Sequence, residues 1–403
     1  MNKIRTILTL IIFLFIFLYL DNQLSNHFLM EIGLEDEIKA GNIQLLILEV
    51  LIGIYLIIYG VKKPDILLKY IYILLIGILI SSLICFWRKS NFSLFVYLPI
   101  ALPLLIAIFF NSFCKNNDNK YSIFILTIMV LALSYRFYYY YNNIYYLLNH
   151  DFILNGSYII LCFLPIVLCL KIRLAKIVCI LIISVIVLFS SKRGGTIALG
   201  VSLLLYYDYY LNYNKKNKRH KTLSNIVVLT LALFLSLFIF DEMNNLTGNL
   251  LSSRFIELQK DTGTDRQNVY KKTYNMIMTS SESDLLLGHG WNAVVKDSSL
   301  SLSAHNDLLE VIYDFGVFVF LIYLSFFIAA IGYFIKMRKK QSVYTGQFAS
   351  ALSITFVLSL VSHIIIYPSL LLVVVMTFIL LTSLNQNQTD KHENWNTSIS
   401  VGH

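Results

Sequence analysis

Charge is what this 403-residue sequence has least of: 14% of its residues are charged, 57% are hydrophobic, and the mean hydropathy is +0.70. A soluble domain carries about 25% charged residues, so the composition excludes a soluble enzyme and a disordered chain. Cysteine is also scarce. Cys85, Cys114, Cys162, Cys169 and Cys179 all lie within or at the ends of apolar runs and include no Cys-x-x-Cys pair, which excludes a disulfide scaffold and argues against a zinc site. Small residues are missing where a secretion signal would be cleaved. Lys3 and Arg5 precede an apolar stretch from Thr6 to Leu20, but Asp21, Asn22 and Gln23 follow it, so the stretch reads as an uncleaved first span.

What the sequence has in abundance is long apolar runs. They fall near 6–20, 43–60, 66–87, 93–113, 121–140, 153–170, 174–190, 196–213, 223–240, 307–335, 347–366 and 369–384, and each approaches the ~20 residues a helix needs to cross a bilayer. The runs are continuously apolar rather than alternating, which selects helices over a barrel because each helix pairs its own backbone in lipid. The expected fold is an all-α polytopic membrane protein with about twelve transmembrane helices. Nine helices occupy 1–240, a large and partly helical extracytoplasmic loop occupies 241–306, three helices occupy 307–384, and 385–403 is a cytoplasmic tail.

A net charge of +9 and a pI near 9.1 invite a nucleic-acid reading, but the basic residues sit in short loop clusters. With the N-terminus inside, Lys62-Lys63, Lys115 to Lys120, Lys171 to Lys176, Lys215 to Lys221 and Lys336 to Lys340 all become cytoplasmic, as the positive-inside rule asks. Both termini are then cytoplasmic, and no nucleic-acid partner is expected. The opposite side is acidic, with Asp21, Glu31, Glu35, Asp36 and Glu37 in one loop. Against that bias Arg88-Lys89, Arg136 and Lys192-Arg193 stand at the outer face, either as anchors snorkelling to headgroups or as parts of a site. The tyrosine-rich run Tyr135 to Tyr146 reads as an interfacial belt or as a platform for sugar rings.

The long outer loop has a pattern of its own, and loops of this length are usually functional. Thr264-Asp265-Arg266-Gln267 fits a capping box with Thr264 as N-cap, followed by helix formers through Met278. Arg266 then shares a face with Tyr270, Tyr274 and Ile277. Arg254 is a further cation of the loop. Leu285 to Trp291 places His289 between two glycines, where a turn is permitted. In Ser303-Ala304-His305-Asn306-Asp307 the chain re-enters the membrane, with Ser303 or Asn306 able to cap the next helix. His305 is expected at the membrane surface, along the helix face of Leu309 and Ile312, and Glu310 follows a turn later at the same interface.

These parts suit one kind of chemistry. Guanidinium groups keep their charge and grip phosphate bidentately, and histidine is matched to removing a proton near neutral pH. Arginines plus one base at the outer surface of a many-helix membrane protein suit transfer from a lipid-linked diphosphate to a hydroxyl. Such a donor carries its own driving force and requires no nucleotide. No cofactor is expected. No metal is expected either, since His305, Asp307 and Glu310 supply fewer convergent oxygens than a hard-metal site needs.

The sequence also resembles the bacterial O-antigen ligase and O-antigen or capsule polysaccharide polymerase superfamily. The resemblance rests on Ser190-Ser191-Lys192-Arg193-Gly194-Gly195, on Gly263-Thr264-Asp265-Arg266, on Leu286-Leu287-Gly288-His289-Gly290-Trp291, and on His305-Asn306-Asp307-Leu308-Leu309-Glu310 leading to Asp314-Phe315-Gly316. It implies an inverting, metal-independent glycosyltransferase of the GT-C type in the bacterial cytoplasmic membrane. The donor would be an undecaprenyl-diphosphate-linked oligosaccharide, and the partners would be membrane lipids, a flippase and a chain-length regulator. Carried over by motif, Arg193 and Arg266 would bind the diphosphate and His305 would activate the acceptor hydroxyl. Lys192, which stands where the family often has Ser-Arg-Gly without a lysine, joins Arg254, His289, Glu310 and Arg136 as a substrate-binding candidate. The expected function is a repeat-unit polymerase; an O-antigen ligase acting on lipid A-core is the second reading. A lipid-oligosaccharide flippase is the third, although the halves of the chain do not repeat and the ionisable residues gather at one surface rather than at the midplane.

Overall fold

A computed structural model describes residues 3–31, 42–89, 94–116, 119–145, 156–190, 192–213, 264–298 and 303–400. The described residues form helices and no strand. In chain order these are α1 (Lys3–Glu31), α2 (Asn42–Tyr59), α3 (Ile66–Lys89), α4 (Leu94–Asn116), α5 (Asn119–Tyr145), α6 (Ser157–Leu161), α7 (Leu164–Val167), α8 (Arg173–Phe189) and α9 (Arg193–Tyr213). Then come α10 (Thr264–Met278), α11 (Glu282–Leu287), α12 (Ala293–Asp297), α13 (Asp307–Lys339), α14 (Thr345–Val361) and α15 (Pro368–Ser400).

Among the described residues, seven helices are long and apolar enough to cross a membrane: α1, α2, α3, α4, α5, α13 and α15. The protein is an all-α polytopic membrane protein. The other expected runs divide in an informative way. The 174–190, 196–213 and 347–366 runs form single helices, α8, α9 and α14, whereas the 223–240 run lies outside the described residues. The 153–170 run does not form one span. From Gly156 onward it folds as α6 and α7, two one-turn pieces with Pro165 at the start of the second, where its missing N–H leaves no intrahelical bond unmade.

The first helix also departs from expectation, because it runs to Glu31 rather than ending at Leu20. Beyond the apolar run Leu24 and Phe28 are buried, together with Asn26 and His27, so tertiary packing extends the helix past its hydropathy signal. Asp21, expected in a loop, is thereby held on α1 facing Arg136 of α5, with Oδ1 and Oδ2 at 2.9 and 3.1 Å from Nε. Arg136 also donates to Tyr140.

The core is layered by helix pairs: α1 on α2 and α5, α4 on α2 and α15, α3 on α13, and α9 on α14. The α9–α14 contact is close because α14 opens with Gly346, Ala349, Ser350, Ala351 and Ser353, small residues that let backbones approach in lipid. Ser202 and Ser350 hydrogen-bond across it. Pro99 and Pro103 stand inside α4, tolerated where neighbouring helices surround the freed carbonyls. The described part of the long loop is helical, as expected, and α10, α11 and α12 all pack on the first turns of α13. A small apolar cluster of Val269, Ile277, Ala293, Val294, Ala304 and Tyr313 holds them there.

Candidate active site

The chain enters α13 through an irregular step at His305 and Asn306. His305 is left-handed, with φ of 51°, a conformation uncommon for a residue with a side chain. It therefore precedes the helix and does not share a face with Leu309 and Ile312. Asn306, not Ser303, is the N-cap: its side-chain oxygen accepts the N–H groups of Leu308 and Leu309 at 2.9 and 3.4 Å. The His305 N–H donates to Oε1 of Glu310 at 3.2 Å. Five residues apart on a regular helix the two would diverge; the left-handed turn at His305 brings them together. Glu310 is buried at 1% exposure and its Oε2 has no hydrogen-bond partner.

A second histidine meets this pair. The α14–α15 turn carries His363, whose ring stacks on that of His305 with centroids 4.9 Å apart and planes 20° apart. Its Nδ1 lies 3.6 Å from Glu310 Oε1. Tyr367 packs on His363 at 4.5 Å and on His27 of α1 at 5.5 Å. The turn is fixed from α13, because the Asp307 carboxylate accepts the N–H groups of Ile364 and Ile365 and the hydroxyl of Tyr323. His363 was not visible as a site residue in the sequence. Its signal was faint: an ionisable group in an otherwise apolar stretch, where membrane proteins seldom keep one without use.

Cations approach the same end of the bundle from α9. Lys192 is within electrostatic range of both His27 and His363, and Arg193 is the first residue of α9, partly buried. Gly194 makes this possible, since a Cβ there would fall 2.7 Å from Cγ2 of Val361 and 3.1 Å from the Tyr158 hydroxyl. The α9 N-terminus thus lies against the end of α14, two residues before His363. A helix N-terminus with a lysine and an arginine beside it is a favourable setting for phosphate oxygens. Burial first, and Lys192 second, hold the His363 pKa down at about 3, so its ring is neutral at ordinary pH.

Of the remaining candidates the structure describes Arg136, His289 and the backbone of Arg266. Arg266 is in α10, one helical turn before Val269, which is buried with Thr273 and Ile277. That stripe, rather than Tyr270 and the exposed Tyr274, is the packed face of α10. The Arg266 side chain and the whole of Arg254 lie outside the described residues. Arg136 is engaged with Asp21 and Tyr140. Arg88 pairs with Asp284 at 2.8 Å, and the Ser281 hydroxyl and Arg88 hold the Asp284 carboxyl below the usual carboxylate range.

His289 has a structural environment. Helix α13 breaks at Gly316, with φ 82° and ψ 171°, which frees carbonyls that a continuous helix would pair. The glycine-flanked loop supplies the donors: His289 N–H to Tyr313 O at 3.0 Å and Gly290 N–H to Asp314 O at 2.8 Å. Ser81 of α3 reaches the carbonyls of Leu287 at 2.7 Å and Phe315 at 3.1 Å. The His289 ring stacks on Tyr313 at 4.0 Å, and its Nδ1 faces Tyr313 O at 3.1 Å. Asp314 completes the joint by accepting the Val294 N–H at 2.9 Å. The Leu-Gly-His-Gly-Trp and Asp-Phe-Gly motifs are thus the two halves of one joint that seats the loop beside His305.

Among the described residues no group of three or more His, Cys, Asp or Glu is placed to hold a metal ion. The arrangement offers a partly exposed imidazole, a buried carboxyl behind it and cations nearby, which is the equipment of proton removal next to an anionic leaving group.

No curated protein matches the chain. The sequence model of the O-antigen ligase family matches residues 178–324, a segment that runs from α8 through the loop to the middle of α13. It takes in Arg193, Arg266, His289, His305 and Glu310 and stops short of His363. That family supports a glycosyltransferase-type enzyme of ligase or polymerase kind, acting in polysaccharide biosynthesis at a membrane. The match covers just over a third of the chain and takes in every motif on which the resemblance to the O-antigen ligase and polymerase superfamily rests.

Proposed function

We propose that this protein is an oligosaccharide repeat-unit polymerase at the outer face of the cytoplasmic membrane. It transfers a glycan chain from undecaprenyl diphosphate to a sugar hydroxyl of the next lipid-linked repeat unit. The hydroxyl oxygen attacks the anomeric carbon, His305 takes the hydroxyl proton, and the bond to the diphosphate oxygen breaks with its electron pair leaving on undecaprenyl diphosphate. A single displacement inverts the anomeric centre. Arg193 and Arg266 bind the diphosphate and offset the charge that develops on it, with Lys192 adding to the same field.

The observation that carries this reading is the convergence at the start of α13. His305 is backed by Glu310 and His363, and Lys192-Arg193 stand at the same end of the bundle. The ligase reading, with lipid A-core as acceptor, has the matched family's own description in its favour. One reaction separates them: purified protein is given a single lipid-linked repeat unit and nothing else. Ladders of polymer support the polymerase, whereas no product until lipid A-core is added means a ligase.

A further inference from the structure

We propose that His363 is a positioning residue for His305, and that the stacked pair of imidazoles sets the direction from which the acceptor hydroxyl is deprotonated. The proposal rests on reading His305 as the base.

The contact geometry is specific. The rings are nearly parallel, at 20° and 4.9 Å, within the range of offset stacking between flat side chains. His363 is itself gripped, because it is 3% exposed, packs on Tyr367, and sits in the turn whose N–H groups Asp307 accepts. One atom touches both histidines: Glu310 Oε1 accepts the His305 N–H and lies 3.6 Å from His363 Nδ1. Among the described residues His363 Nδ1 and Glu310 Oε2 make no hydrogen bond, so the stacking on His305 and Tyr367 is the contact that orients the His363 ring.

The electrostatics agree with the geometry. The groups that face His363 are His305 and Glu310 from the α13 end, Lys192 from the start of α9, and His27 of α1 across Tyr367. Burial and Lys192 keep the His363 ring neutral. When His305 takes the proton, its new charge forms against an uncharged ring rather than against a second cation.

The test uses the full-length protein in detergent or nanodiscs with a lipid-linked repeat unit, and follows kcat, KM and the pH–rate profile. His363→Ala is expected to lower kcat by about ten- to a hundredfold, the effect of a misplaced catalytic group, with KM little changed and the acid limb of the profile displaced. His363→Phe keeps a flat ring and is expected to retain kcat within roughly threefold. If His363→Ala does not elute as the wild type does, His363→Leu fills the space without a ring plane and carries the same expectation. Full kcat in His363→Ala beside an inactive His305→Ala overturns this inference alone. An active His305→Ala overturns the reading of His305 as base and this inference with it. A folded but inactive His363→Phe shows that ring stacking is not the operative contact and likewise overturns the proposal.

Discussion

The carboxylate of Asp307 accepts the backbone N–H of Ile364, at 3.0 Å through Oδ1 and 3.1 Å through Oδ2, and so ties the start of α13 to the turn that carries His363. Asp307 is fully buried and also receives the Tyr323 hydroxyl at 3.1 Å. His305 and His363 are 58 positions apart in sequence, and this carboxylate holds the turn that carries one to the helix that begins beside the other. Asp307→Asn puts an amide with one acceptor oxygen where two backbone donors converge. An unsatisfied buried donor costs about 1–3 kcal/mol, and the turn is expected to shift. We expect polymer formation to fall by roughly ten- to a hundredfold while the protein still reaches the membrane, read from ladder intensity at matched protein levels.

The joint at Gly316 gives a stability prediction. Gly316 and Gly288 both have positive φ, 82° and 86°, in a region nearly restricted to glycine. A Cβ on Gly316 would fall 2.3 Å from Leu286 O, and one on Gly288 would fall 2.3 Å from Asp314 O. Backbone atoms on both sides leave no flexible side chain to give way. Gly316→Ala and Gly288→Ala are each expected to destabilise the loop joint by about 1–3 kcal/mol or more. Thermal unfolding in detergent and protease sensitivity of residues 264–298 measure it.

A pH prediction follows from His363, which lies in the connecting turn. Its folded-state pKa is held down at about 3, against about 6.5 in an unfolded chain. Between these values the unfolded state binds a proton that the folded state does not, so stability falls as pH drops through that window and is regained as pH rises above about 6.5. In His363→Phe that share of the dependence is expected to disappear. Thermal midpoints of the two proteins at pH 5 and pH 7.5 test this; an equal drop in both contradicts it.

The helical architecture was legible in the sequence because continuous apolar runs leave a chain in lipid little choice but helices. Its ends were less so. Hydropathy stops at Leu20, but α1 continues to Glu31 because Leu24, Phe28 and His27 are buried by tertiary contacts. The 153–170 run looks like a span by composition, yet one proline and a turn split it into α6 and α7. At the site, capping chemistry made the start of α13 readable, although Asn306 rather than Ser303 performs it. The nearness of His305 and Glu310 was hidden because helical spacing holds only where the backbone is helical, and His305 is left-handed. His363 was hidden for another reason: it reaches His305 through the packing of α13 against the α14–α15 turn, a relation that no local pattern encodes. His289 is the converse case. Its flanking glycines were readable as a turn, but only the break at Gly316 explains what the turn is for.

The proposed activity is glycosyl transfer from a lipid-linked diphosphate to a hydroxyl, with His305 as the base and Arg193 on the diphosphate. The most direct measurement is release of undecaprenyl diphosphate together with polymer growth, in one reaction of purified protein with a labelled lipid-linked repeat unit. The account predicts one diphosphate released per linkage formed by the wild type, and neither diphosphate nor polymer from His305→Ala or Arg193→Ala protein that elutes as the wild type does. An unchanged ladder from His305→Ala would contradict it.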